Sequence, residues 1–448
     1  MLSNINEKNL PTAGLHPGDI IMLEIDGYTH DGQGVGRMNG AVVFVRGALQ
    51  GELVQAEIKR ERRGVFYADL LAVLQASGQR QEPDCPVYAS CGGCHLQHMS
   101  YAEELNFKQQ QVQAALQRLA GLQVECRPPL PAEQIYHYRN KGVFHVSRQE
   151  SRLQLGFWDE ASHQPAGAAC QLLFPLPLNE LVAHLQQTGL PLCVSDVLLR
   201  FSFAEEKIML FLRIQPGSSK KALAEASLCL QQISRNFANL AVWGLQTDTG
   251  WQTLSAEKYL TDTLAAVRYQ IAPEAFFQVN NAQTLRLLQV IEQALPPDTE
   301  QLLDAYCGIG TLGLALAKHL PGLRRLLGIE LNRGAVASAR QNARLNDLVQ
   351  AEFWLGKAEQ EFAKVLRQGF VPDAVIVDPP RRGCHQQLLN GLLQLAPRQL
   401  IYVSCNPATL ARDLRLLCAE KYAVQLVQPV DMFPRTHHVE TVVLLSKG

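Results

Sequence analysis

Apolar and polar residues alternate in short runs over 20–25, 41–45, 53–58 and 65–71, with Gly- and Asp-rich breaks between them. A period of two predicts half-buried strands. Five or so such strands within 15–77 predict a small barrel, in which 31–36 is a glycine-rich turn. The pattern is lost over 78–98, a turn-rich stretch that bears cysteines, and resumes at helical spacing over 101–120 with Leu105, Val112, Leu116 and Leu119. From Tyr136 to near residue 270 the chain reads as mixed and strand-rich, with apolar strands at 141–146, 153–158, 197–203 and 207–214. From 276 onward, strands ending at Leu303, Ile329, Leu355, Val377 and Val403 alternate with helical stretches, and the chain closes on a strand at 441–446. That alternation predicts an α/β domain, a parallel sheet with helices on both faces.

Composition narrows the class. The 448 residues are 47% hydrophobic and 19% charged, which excludes wholesale disorder, collagen and a coiled-coil rod. A formal charge of −1, from 41 Lys and Arg against 42 Asp and Glu, argues against a protein coated in basic charge. The charges segregate, however. Arg37, Arg46, Lys59, Arg60, Arg62 and Arg63 gather in the second half of the barrel, whereas its first half carries Asp19, Glu24, Asp26 and Asp31. The first residues lack the apolar core of a secretory leader, and no run approaches the roughly 18 apolar residues of a membrane span. A cytoplasmic protein with reduced thiols is therefore expected, so clustered members of its eleven cysteines read as metal ligands or catalysts rather than disulfides.

Candidate chemistry gathers on the α/β part. After its first strand come Asp304, Gly308, Gly310 and Gly313, a turn that lets backbone approach a ligand, and the second strand ends at Glu330, placed to accept from ribose hydroxyls. The acid before the glycines, and the lack of a phosphate-binding Lys, favour S-adenosylmethionine over NAD. Asp378-Pro379-Pro380-Arg381 ends a buried strand. The doubled proline stiffens that loop, so Asp378 can orient a base edge or meet a sulfonium charge. Ser404-Cys405-Asn406-Pro407 ends the next strand and opens a helix over 408–418. A thiolate there is a strong nucleophile when positive charge or a helix N-terminus lowers its pKa. Glu440, after His437-His438-Val439, enters the last strand as a potential general base; the two histidines have no third ligand at metal spacing. Cys85, Cys91 and Cys94 are spaced C-x5-C-x2-C and need a fourth ligand, for which Cys170 is the candidate. Spacing does not separate zinc from iron–sulfur, although the run of three with a distant fourth and a Pro beside Cys85 leans to the latter.

Together, Asp378-Pro-Pro-Arg, the stretch from Ser404 to Asp413, and His437-His-Val-Glu440 resemble the RNA uracil-5-methyltransferase family, most closely its 23S rRNA branch, which carries an iron–sulfur cluster. The resemblance covers nearly the whole chain. It implies a TRAM-like (OB-like) RNA-binding barrel at 15–77 and a mixed α+β central domain with a [4Fe–4S] cluster at 78–275, its helix near 100–120 packing on the catalytic domain. It implies a Rossmann-like S-adenosylmethionine-dependent catalytic domain at 276–448. Cys405 would add to C6 of uracil, making C5 nucleophilic toward the methyl donor, and Glu440 would remove the C5 proton. Gln278, Tyr306, Thr311, Glu330 and Asp378 would hold the cofactor, with Lys357 or Glu359 near the adenine. Cys85, Cys91, Cys94 and Cys170 would ligate a structural cluster. The implied partner is 23S rRNA acted on by a monomer, the alternatives being the same chemistry on tRNA and a non-catalytic RNA-binding iron–sulfur protein. The target base must leave its stack, and Tyr138, Arg139, Lys141 and Phe144 offer stacking and phosphate contacts.

Overall fold

The computed structural model describes residues 14–149, 152–159, 170 and 172–448. The leader reading and the immediate neighbours of Cys170 lie outside these residues. The chain divides into two compact units: one takes the described residues up to Tyr88 with Cys94–Gln111 and Arg435–His438, the other Ala89–Gly93, Val112–Pro434 and Val439–Gly448.

The first unit holds a closed five-stranded barrel: β1 (Ile20–Tyr28), β2 (Gly34–Met38), β3 (Ala41–Arg46), β4 (Leu53–Arg62) and β5 (Val65–Gln75), in the order β1-β2-β3-β5-β4. Alternate residues point inward, so Val43, Val45, Val54, Ala56 and Ile58 form a dry centre while their neighbours stay solvated. The glycine-rich stretch expected as a turn is half strand. Gly34 and Gly36 pair with Val45 and Val43 across the ladder. A Cβ at Gly36 would strike the Glu24 carbonyl and lie 2.8 Å from Leu23 Cγ, so the sequence there is glycine because the β1–β2 approach leaves no room. Elsewhere in this unit, Glu104 forms a fully buried ion pair with Lys108 at 2.7 Å and accepts the Arg435 backbone N–H at 2.8 Å.

The helix expected over 101–120 is α-helical as α1 (Tyr101–Ala115), with the division between the units falling after Gln111, and then widens into a π turn, Leu116–Ala120, ended by Gly121 at φ +71°. A mixed sheet follows. Its strands are β6 (Lys141–Gln149), β7 (Arg152–Gly156), β8 (Val194–Phe201), β9 (Ile208–Ile214), β10 (Leu240–Thr247) and β11 (Gly250–Thr253), ordered β11-β10-β9-β8-β6-β7. Helices α2 (Leu176–Thr188) and α3 (Lys220–Asn236) belong to this region, and a hairpin, β12 (Leu260–Leu264) and β13 (Val267–Ile271), leads on to α4 (Asn281–Ala294).

The α/β part contains β14 (Gln301–Ala305), α5 (Thr311–His319), β15 (Arg325–Glu330), α6 (Arg333–Leu345), β16 (Ala351–Leu355), α7 (Ala358–Arg367), β17 (Ala374–Val377), α8 (Gln386–Leu395), β18 (Gln399–Ser404), α9 (Pro407–Glu420), β19 (Tyr422–Val430) and β20 (Glu440–Lys447). The sheet order is β16-β15-β14-β17-β18-β20-β19, parallel except that β20 runs antiparallel to both neighbours. One face buries Leu302, Leu326, Ile376, Ile401 and Val442, the other Leu303, Leu327, Val375, Leu400 and Val443, which is why these strands read as continuous apolar runs. Strand order reverses between β14 and β17, and ligands bind at such a switch point, beyond the carboxyl ends of the strands.

Replacing Gly36 by Val overpacks the barrel and is expected to destabilise the chain by about 1–3 kcal/mol. An unchanged denaturation midpoint for Gly36→Val would refute the close approach.

Candidate active site

The carboxyl edge of the sheet is built from three loops. After β14, Tyr306 (φ +68°), Gly308 (φ +56°) and Gly310 (φ +85°) take left-handed backbone, turning the chain sharply into α5. Asp304 lies beneath this turn, fully buried, and accepts the Gly313 N–H at 3.1 Å. A Cβ at residue 313 would sit 2.9 Å from that carboxylate, which explains the third glycine. Glu330, at the end of β15, accepts from Gly308 N–H at 3.1 Å and Asn332 N–H at 2.7 Å. The Tyr269 hydroxyl donates to the Thr311 carbonyl at 2.9 Å and Asn342 to that of Ile309 at 3.3 Å, fixing the loop from outside. Above it, a Cβ at Gly308 would meet nothing within 4 Å, so the bare backbone faces open space. A small ligand with hydroxyls and a positive centre fits this cradle, with Glu330 as acceptor.

Asp378 follows β17. Burial pushes its carboxyl up to about 7, and burial with the Asp378 and Glu330 charges raises Asp304 to about 8. Acids held so strongly toward the neutral form suit a site that receives a cation.

Cys405 and Glu440 are brought together by strand register. In the β18–β20 ladder Val403 pairs with Val442 and Ser404 with Thr441, so the next opposed positions are 405 and 440. Side chains opposed in this way stand a few ångströms apart. Burial pushes the Cys405 thiol up to about 11. The Glu440 and Asp378 charges add to the rise, and Arg381 draws it down. This differs from the lowered pKa expected of a residue opening a helix: burial and two acids outweigh one arginine and the α9 terminus. Glu440 is buried and raised well above the usual carboxylate range by that burial and by Asp378, again with Arg381 opposing. Arg381, which sequence reading passed over inside its motif, is thus the cation facing both groups.

Gln278 is buried on the segment entering α4, and its carbonyl accepts from Asn140 Nδ2 at 2.9 Å. Asn140 also donates to Asn281 Oδ1 at 2.8 Å, and its backbone N–H to the Val279 carbonyl at 2.8 Å. The stretch from Tyr138 to Lys141 therefore supports the Gln278 segment. Tyr138 and Phe144 are buried, Tyr138 donating to the Pro434 carbonyl at 3.0 Å, so neither offers a ring for a base to stack on. The expectation of stacking there is corrected; its apolar residues belong to the core. Burial raises the Tyr306 hydroxyl, with smaller contributions from Cys384 and from Glu359 in the first turn of α7, whereas Lys357 is exposed before that helix.

Among the described residues, no three His, Cys, Asp or Glu side chains stand close enough to hold a metal ion, and no disulfide forms. The four-cysteine set read from spacing is not assembled there. Two of its sulfurs do accept backbone N–H groups at 3.4 Å, Cys91 from Gly93 and Cys170 from Leu173. The His437 and His438 rings lie 4.2 Å apart, and His95 packs on His437 at 4.3 Å.

Comparison with known proteins places this geometry. Residues 250–448 match the tRNA (uracil-5-)-methyltransferase family and residues 15–71 the TRAM domain. The chain is 34% identical to an uncharacterized RNA methyltransferase of Halalkalibacterium halodurans, covering 97% of this chain and 98% of that one. It is also 34% identical to an uncharacterized RNA methyltransferase of Listeria innocua, over 95% and 97% of the two chains. Among solved structures it resembles the Pyrococcus abyssi tRNA (uracil-54, C5)-methyltransferase bound to S-adenosyl-L-homocysteine, with a TM-score of 0.75 and 25% identity over 95% of this chain and 99% of that one.

The raised acids give a pH signature. A carboxyl whose pKa rises on folding holds its proton more tightly in the folded state, so stability is greatest at low pH and declines as pH climbs. For Asp304 that decline runs from the ordinary 3.8 toward about 8. Asp304→Asn keeps an acceptor for Gly313 and removes the charge. Denaturation midpoints at pH 5 and pH 8 are expected to differ less in the variant than in the parent; equal differences would contradict the buried-acid assignment.

Proposed function

Because the chain belongs to the tRNA (uracil-5-)-methyltransferase family, we propose that it methylates C5 of a uridine in RNA, with Cys405 as nucleophile and Glu440 as base. The observation that carries this is the β18–β20 register, whose last pair, Ser404 with Thr441, brings the adjoining Cys405 and Glu440 to the sheet edge where the glycine cradle opens. S-adenosylmethionine, when bound, supplies a methyl group on a positively charged sulfur. Tyr306, Thr311, Glu330, Asp378 and Gln278 are the residues assigned to hold it.

Uracil C5 is a poor nucleophile. As the Cys405 sulfur bonds to C6, the C5=C6 electron pair moves toward C5 and the O4 carbonyl, and C5 becomes able to take a methyl group. Burial and the two facing acids favour the Cys405 thiol over the thiolate, so its proton passes to Asp378 as the S–C6 bond forms, leaving Glu440 free for the later proton. Once C5 carries both methyl and hydrogen, Glu440 takes the hydrogen as a proton. The C5=C6 bond re-forms and the thiolate leaves. Burial makes the Glu440 carboxylate a stronger base than a solvated one, which suits removal of a carbon-bound proton.

We assign 23S rRNA as the substrate, on the resemblance of the cysteine run and the barrel to that branch. The tRNA reading rests on the name of the matching family and on the Pyrococcus relative. The exposed Arg60, Arg62 and Arg63 of the β4–β5 hairpin, with Arg60 over the Tyr67 ring at 4.5 Å, give the barrel a basic surface suited to phosphates. We also propose a structural [4Fe–4S] cluster on Cys85, Cys91, Cys94 and Cys170. Its support is the spacing and the two N–H···S bonds, which stabilise thiolates, and no catalytic step depends on it. No described helix is long and apolar enough to cross a membrane. A cytoplasmic monomer is proposed on the resemblance alone.

Cys405→Ala is expected to abolish methylation while leaving cofactor affinity intact; surviving activity would remove Cys405 from its role. Glu440→Gln should lower turnover by about 10²–10⁴-fold and accumulate a methylated protein–RNA adduct visible by denaturing gel. Absence of that adduct counts against Glu440. Mapping 5-methyluridine in a deletion strain decides the substrate: loss from 23S rRNA supports the assignment and loss from tRNA overturns it. Iron and acid-labile sulfide in anaerobically purified protein are expected near four each per chain, and their absence, or zinc in their place, rejects the cluster.

A further inference from the structure

The first two turns of α9 reach back to the loop that follows β17. Asn406 Nδ2 donates to the Arg381 carbonyl at 3.0 Å, and Thr409 Oγ1 donates to the same oxygen at 3.2 Å. Arg412 Nη2 donates to the carbonyls of Arg382 at 3.0 Å and Cys384 at 3.4 Å. Asp413 is fully buried beneath them. Its Oδ2 accepts the Cys384 N–H at 2.8 Å and the Tyr402 hydroxyl at 2.7 Å, and its Oδ1 accepts Arg412 Nε at 2.7 Å. Gly383 has φ +77°, and a Cβ there would lie 2.5 Å from Arg412 Nη2 and 2.7 Å from Asp413 Oδ2, so the loop rests directly on this clamp. A buried carboxylate is tolerated only when its oxygens are satisfied, and here both are.

The connectivity gives the clamp a chemical consequence. Tyr402 lies on β18, three residues before Cys405, and Cys384 closes the loop that begins at Asp378. One carboxylate therefore ties the strand carrying Cys405 to the loop carrying Asp378 and Arg381. The charged groups facing the thiol are Glu440 on β20 and Asp378 and Arg381 on this loop, so the loop supplies two of the three. Asp413 holds the far end of this loop at Cys384 and orients Arg412 onto the Arg382 carbonyl, while Asn406 and Thr409 hold the Arg381 carbonyl, so the backbone on both sides of residues 382–383 is anchored.

We propose that Asp413 is a positioning residue for methyl transfer, holding the 381–384 loop against β18 so that Arg381 stays beside Cys405 and Glu440. This rests on the assignment of Cys405 as the nucleophile. Asp413 never touches substrate; it acts through the arginine.

The test compares full-length parent, Asp413→Asn and Tyr402→Phe by three readouts. These are S-adenosylhomocysteine affinity by calorimetry, the pH profile of Cys405 alkylation by iodoacetamide followed at the peptide level, and kcat and KM on RNA. In Asp413→Asn the cofactor affinity is expected to stay within about threefold. The alkylation midpoint should rise by about one pH unit as Arg381 withdraws. kcat should fall on the order of 10–100-fold with little change in KM, because small misplacements of reacting groups cost about that much. Tyr402→Phe removes one hydrogen bond and should shift both quantities the same way by less. An unchanged alkylation profile in both variants overturns the proposal, as does a loss of kcat that only tracks loss of cofactor affinity and melting temperature. Should Asp413→Asn fail to fold, Tyr402→Phe decides by the same readouts. Failure of the nucleophile assignment is distinct: it is methylation by Cys405→Ala.

Discussion

A parallel sheet delivers only the carboxyl ends of its strands to its ligand-binding edge. In this chain one strand runs the other way. β20 inserts between β18 and β19 antiparallel to both, so its amino end reaches the edge where β18 delivers its carboxyl end. Cys405, one residue past the last paired position of β18, and Glu440, the first residue of β20, thereby come to the same end of one ladder although 35 residues separate them in sequence. The proposed reaction at a pyrimidine ring needs a nucleophile at one carbon and a base at its neighbour, and two strand ends meeting at one edge can present such a pair without a long mobile loop. The glycine turn after β14 and the Asp378 loop after β17 lie at the same edge of the sheet.

The same edge concentrates negative charge. Asp304, Asp378 and Glu440 are all pushed toward their neutral forms, and Cys405 toward its thiol, because ionising any of them places charge in a low-dielectric setting beside like charges. Arg381 offsets part of this. A positively charged ligand in the cradle favours the ionised acids further, so the proton inventory of the site is coupled to what it binds. The loop bearing Arg381 is held by three side chains of α9 and by Asn406 just before it.

Much of this was legible in the chain itself. The period-two runs marked the barrel, and the switch to alternating strands and helices marked the α/β part, because both periodicities report burial on one face or two. β2 was not legible, since its inward positions are Gly34 and Gly36 and glycine leaves no hydrophobic signal where space is short. Cys405 and Glu440 stood out by motif, but the direction of the thiol shift did not: it depends on acids from two other elements. Tyr138 and Phe144 looked like contacts for a base because sequence does not distinguish a ring on a surface from one in a core. Asp413 lay in a recognised motif without a role, and its partners at 384 and 402 become visible only when three elements converge.

The opposition of Cys405 and Glu440 can be probed with RNA in which the target uridine is replaced by 5-fluorouridine. Fluorine cannot leave C5 as a proton does, so addition and methylation proceed and elimination stops. Intact-mass spectrometry of the parent with S-adenosylmethionine and this RNA should show one covalent complex carrying one added methyl group, mapped to Cys405 and absent in Cys405→Ala. A complex mapped to any other residue, or methylated fluorouridine with no complex at all, would contradict the assignment.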